Sequence, residues 1–101
     1  MSTQTPILHL FPLFLPGQIV ATPAALDLLQ RNREAPQTYL RRHLQGDWGD
    51  ICPEDAQLNN HALKCGQRVH SAYALGLSDE RLWVITEADR SVTTLLTPDD
   101  Y

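Results

Sequence analysis

Cysteine is scarce in this 101-residue sequence: there are two, Cys52 and Cys65, and one pair is no disulfide framework. Cys65 falls at the end of a predicted helix and reads as a small buried apolar residue. No unbroken apolar run is long enough to cross a bilayer. The most apolar stretch, ILHLFPLFLPGQIV (7–20), is interrupted by Pro12 and Pro16 and is shorter than the roughly 20 residues a spanning helix needs. No Lys or Arg precedes it, so it lacks the basic start of a secretion signal. These absences predict a cytoplasmic protein with no membrane partner. A basic surplus is missing too: the net charge is −4 and the pI about 5.4. Proteins that grip a phosphate backbone non-specifically usually carry the opposite balance, so direct nucleic-acid binding is not expected. There is no glycine-rich phosphate loop and no Gly-x-Ser-x-Gly elbow, and Cys52 with His61 forms no recognisable nucleophile pair. Enzyme classes built on those devices are excluded, and no cofactor is implied.

What is present reads as an extended apolar arm (1–16) lying on a single α+β domain (17–101). Within the domain, Ile19–Ala21 is a short strand candidate. Thr22 then Pro23 is a helix start, with Thr as N-cap and Pro at the first helical position. That helix runs to about Gln30 or Asn32 and buries Ala25, Leu28 and Leu29, with Leu26 at the margin. Pro36 starts a second helix, with Leu40 and Leu44 one turn apart and Tyr39 and His43 on the flank. Gly46 is placed to end it in a left-handed cap. Pro53 starts a third helix, with Leu58, Ala62 and Cys65 on one face and Gly66 at its end. The period then changes from helical to alternating. Strands are predicted at 69–75, 81–87 and 92–97, joined by turns at GLSDE (76–80) and ADRS (88–91). The expected fold is a short N-terminal strand, three helices and a three-stranded antiparallel meander.

Two segments hold candidate chemistry. In HLQGDWGDICPED (43–55), Asp47, Asp50, Glu54 and Asp55 carry the whole net charge, and residues 45–63 contain no Lys or Arg. The acidic residues with His43 and His61 are oxygen and nitrogen donors, but their spacing matches no metal motif, and no metal is expected. The structural reading accounts for more of them. Gly46 caps a helix, Trp48 pins the loop on the core, and an Asp accepts from loop amides or from the third helix. The sharper reading is an acidic contact surface for a protein partner with a basic surface, with Asp47, Trp48, Asp50, Glu54 and Asp55 as its residues and Trp48 as the anchor if exposed. In the second segment, TEADRSVTT (86–94), Glu87 and Arg90 flank a turn. With His70 they match the acid, base and phosphate-holding residue types of small ribonucleases of the barnase and RelE type. A salt bridge across the turn and a half-exposed sheet histidine account for the same residues without catalysis.

The motifs ATPAAL (21–26), HLQGDWGD (43–50), EDAQLN (54–59), RVHSAY (68–73) and LWVITEADRSVTTLLTPDDY (82–101) together resemble a family of small uncharacterised proteins of bacterial plasmids, phages and integrative elements. Its members share His-x-x-Gly-Asp-Trp-Gly-Asp and Trp-x-Ile-Thr-Glu-Ala-Asp-Arg-Ser-x-Thr-Thr. The resemblance covers about residues 17–101 and implies a genetic setting, with no activity attached. In that setting the expectation is a non-enzymatic interaction protein of a mobile element, of the kind that inhibits a host defence system (anti-restriction or anti-CRISPR type). The alternative is the ribonuclease-like enzyme using His70, Glu87 and Arg90.

Overall fold

A computed structural model describes residues 12–76 and 79–101. Residues 1–11 of the predicted arm, and Leu77 and Ser78 of the predicted 76–80 turn, lie outside the described residues. The chain forms strand β1 (Gln18–Ala21), helices α1 (Pro23–Arg31), α2 (Pro36–Leu44) and α3 (Pro53–Cys65), and strands β2 (Val69–Ala74), β3 (Arg81–Thr86) and β4 (Val92–Leu96). A 3-10 turn at Pro98–Asp100 follows. Local signals place these elements well. Thr22 caps α1 by accepting from the Ala25 amide at 3.1 Å, and Pro23, Pro36 and Pro53 each open a helix. Gly46 and Gly66 follow α2 and α3 with φ of 84° and 68°, as the left-handed caps require.

The sheet is wider than a meander. β2, β3 and β4 are antiparallel neighbours, but β1 adds to β4 in parallel, giving the order β1-β4-β3-β2. A strand's own residues state its pleat and not its partner, and β4 has a free edge once the hairpins are made. Gly17, just before β1, lets the chains close up: a Cβ there would collide with the Arg90 and Ser91 carbonyls. The Gln18 amide bonds to that Ser91 carbonyl at 2.9 Å.

One face of the sheet carries the main core. Tyr73, Leu82, Val84 and Leu95 pack against Ala25, Leu28 and Leu29 of α1 and Tyr39 of α2. The helix faces differ from expectation in two places. On α2, Tyr39 and His43 are buried while Leu40 and Leu44 are only half-buried. On α3, the buried residues are Asn59 and Ala62, whereas Leu58 is 64 % exposed and Cys65 is exposed. Ala62 is buried as expected, but on each helix a polar side chain with an internal partner, His43 on α2 and Asn59 on α3, took an inner position that apolar periodicity assigns to leucine. A second, smaller core joins Trp48, Ala62 and Val69 with Phe14, Ile51, Ala56 and Leu63.

Candidate functional site

The loop between α2 and α3 is a lock on a sheet edge. β2 has β3 on one side only, and an unpaired edge exposes backbone donors and acceptors. Here the Ala72 amide donates to the Trp48 carbonyl at 3.0 Å, and the Asp50 amide donates to the Ala72 carbonyl at 2.6 Å. The Asp50 carboxylate accepts from the Ala74 amide at 2.9 Å. About two turns into α3, the Asn59 side chain accepts from the His70 amide at 3.1 Å and donates to the His70 carbonyl at 2.8 Å. Asn59 thus does the work of a strand residue, which is why an amide is buried where the periodicity called for leucine. Gly49 sits at the closest approach. A Cβ would land on the Ala72 carbonyl, and its φ is +78°.

This geometry redistributes the predicted acidic surface. Trp48 is 6 % exposed, and its Nε1–H donates to Asn60 Oδ1 at 3.0 Å, so it is an internal anchor and not a contact residue. Asp47 is paired with Arg42 at 2.7 Å. That guanidinium holds its carboxyl below the usual carboxylate range. Asp50 is exposed but employed on the sheet edge. Glu54 and Asp55 lie exposed in the first turn of α3 and form no ion pair among the described residues.

The structure does not bring His70, Glu87 and Arg90 together. No hydrogen bond or ion pair among the described residues joins any two of these side chains. The His70 ring lies on the sheet face away from α1 and α2, 4.5 Å from the Trp83 ring. Arg90 has φ 61° in the β3–β4 turn. Its guanidinium donates to the carbonyls of Gln67 (2.7 Å), Glu87 (3.1 Å), Ala88 (3.3 Å) and Ala62 (3.2 Å). It therefore caps the C-terminus of α3, where a cation suits the helix dipole, and bonds the Glu87 carbonyl instead of its carboxylate. A guanidinium so employed has few donors left for a phosphate.

Sequence reasoning missed a buried polar chain. His43 is fully buried, with Nδ1 2.6 Å from Ser71 Oγ and Nε2 2.9 Å from Thr86 Oγ1. Thr86 Oγ1 lies 2.7 Å from Thr93 Oγ1, which donates to the Pro16 carbonyl at 2.7 Å. That last acceptor sets every direction. Thr93 spends its proton on Pro16, so Thr86 donates to Thr93, so His43 Nε2–H donates to Thr86, and Ser71 donates to Nδ1. His43 is therefore the neutral Nε2–H tautomer, and burial pushes its pKa down to about 3. The Phe14 ring meets its edge at 5.3 Å. The chain ties α2, β2, β3, β4 and the segment before β1 together. Four polar residues at i, i+28, i+43 and i+50 leave no local signal.

A cleft of about 530 Å³ opens on the face opposite the main core. His70, Ala72 and Trp83 form its sheet side, and Ile51, Cys52, Asp55, Leu58 and Asn59 its helix side. Arg68, Arg81 and Asp50 complete the rim. It gathers Asp50, Asp55 and His70, which the sequence reading had assigned to two different sites. Burial first, and then the Arg68 charge, lowers the His70 pKa, while the Asp55 charge opposes the shift. Among the described residues no three metal-ligating side chains cluster, and no helix is long and apolar enough to cross a membrane.

The α+β class thus rests on the fold and the candidate site on its cleft. No family model matches the chain, and no curated protein or solved structure matches it.

Proposed function

We propose that the chain is a non-enzymatic interaction protein that binds a protein partner through the exposed face of α3 and the cleft beside it. The observation that carries this reading is Leu58. It is a large apolar side chain 64 % exposed on a helix whose first turn bears the unpaired carboxylates Glu54 and Asp55. An exposed apolar side chain one turn from two carboxylates is the composition of a recognition surface. The partner it suits has a basic surface. Placed in the mobile-element setting that the motif resemblance implies, the protein acts in the cytoplasm as an inhibitor of a host defence enzyme. The ribonuclease-like alternative receives no support from the geometry, because Arg90 is held by carbonyls and His70 faces a different side of the sheet.

The test is affinity capture from the native host, comparing wild type with Glu54→Lys/Asp55→Lys and with Leu58→Asp. No hydrogen bond or ion pair among the described residues involves these side chains, and circular dichroism of both variants checks that the fold is kept. A specific partner is recovered with the wild type and at least tenfold less with either variant. Equal recovery by all three removes this surface as the contact.

A further inference from the structure

Within the cleft, the charges are not equivalent. Arg68 is drawn to one end, where it donates to the Tyr101 hydroxyl at 2.7 Å and lies 5.7 Å from that ring. Arg81 stands on the ridge between this cleft and a second one, which Asp79, Glu80 and Asp99 line. Asp50 is engaged by the Ala74 amide. Asp55 is the lining carboxylate that forms no hydrogen bond or ion pair among the described residues; its charge acts on the neighbouring His70 ring, against the lowering by burial. It shares the cleft with the Trp83 indole, and the small side chain of Ala72, paired with Trp83 across β2 and β3, keeps the floor low. Ile51 and Leu58 add apolar walls.

An aromatic wall, an apolar channel and a carboxylate outside any ion pair among the described residues together match the three parts of an arginine side chain. The planar guanidinium pairs with a carboxylate and lies against an indole, and its methylene stem covers apolar surface. A lysine lacks the planar fork, and an anion meets Asp55 on the helix side and Asp50 at the rim. We infer that the cleft between α3 and the β2–β3 face is a receptor for one arginine side chain of the partner protein, with Asp55 as its ion-pair acceptor and Trp83 as its stacking wall. This inference rests on the proposed interaction function and names the chemistry its partner must present.

Titration of the full chain with Nα-acetyl-arginine amide, followed by amide NMR shifts and tryptophan fluorescence, tests it. Saturable shifts are expected at His70, Ala72 and Trp83. They weaken at least fivefold in Asp55→Asn, and Nα-acetyl-lysine amide binds more weakly than the arginine probe. Unchanged binding in Asp55→Asn, no saturable shift, or a response to inorganic phosphate in place of the arginine amide would overturn the assignment. Asp55→Asn keeps the size of the side chain and touches no fold contact, and its unfolding midpoint confirms this. The two proposals fail separately. Partner capture lost in Leu58→Asp with a cleft silent to arginine amide leaves the surface and removes the receptor. Arginine binding with equal capture by all variants removes the α3 surface.

Discussion

At the residue scale, the most consequential side chain is His43. It was placed on the flank of a helix by its sequence, yet it lies at the centre of a chain of buried hydroxyls whose proton directions are all determined by one carbonyl. Its linkage to pH has a definite sign. The folded pKa of about 3 lies below the ordinary 6.5, so the unfolded chain binds the extra proton. Stability from this group is complete above pH 6.5 and falls as the pH drops toward 3, by about 1.4 kcal/mol per pH unit. His70 is shifted in the same direction and adds to the loss. Urea midpoints at pH 7, 6 and 5 should show the decline, and His43→Gln should flatten it while lowering stability at pH 7. Arg90 makes a second residue-scale prediction. Arg90→Ala removes charge-assisted bonds to four carbonyls and should cost about 2–3 kcal/mol in equilibrium unfolding. Arg90→Lys should recover only part, because an ammonium cannot fan out to all of them.

At the element scale, α3 shows how a polar residue can take an inner position beside an exposed leucine while Ala62 of the same apolar stripe stays buried. Leu58 looks like a core residue and Asn59 like a surface one. The structure reverses them because Asn59 supplies both a donor and an acceptor to the His70 backbone. Exchanging the chemistry should expose the reversal. Asn59→Leu should destabilise by about 2 kcal/mol, since the His70 amide and carbonyl lose their partners. Leu58→Asn should change stability by no more than about 0.5 kcal/mol, as exposed positions generally do. Chemical denaturation of the two single variants distinguishes them. Equal losses would mean that the apolar stripe, and not the amide, seats the helix. The α2–α3 loop follows the same logic: Asp50 is read by sequence as part of an acidic contact surface and is used to finish the edge of β2.

At the scale of the whole molecule, the acidic surplus is not a uniform coat. Asp27, Asp47 and Glu80 are taken up by Arg31 and Arg42, while the carboxylates at the exposed start of α3 form no ion pair among the described residues. A partner drawn by those carboxylates should bind with an on-rate that falls as salt rises, because charges this exposed are screened over roughly 10 Å at 0.1 M. Once a partner is in hand, association rates between 50 and 300 mM salt should drop several-fold for wild type and stay nearly flat for Glu54→Lys/Asp55→Lys. A salt-independent wild-type rate would mean that Leu58 and the cleft act without electrostatic steering. The arrangement also explains why the predicted catalytic residues do not meet. His70 and Arg90 belong to opposite jobs, one on a sheet face and one on a helix end.

The sequence by itself determined the order and kind of the four strands and three helices, the proline that opens each helix, the glycine ends of α2 and α3 and the buried face of α1. Those features follow from signals within a few residues of each other: a cap, a missing amide hydrogen, a period of 3.6 or 2. Only the tertiary structure decided that β1 joins β4, that Trp48 turns inward and Leu58 outward, and that His43 is bonded to hydroxyls from two strands. Each of those depends on a partner far along the chain. A polar side chain becomes a core residue only when another segment brings it a matching donor or acceptor, and no local pattern records where that segment will be.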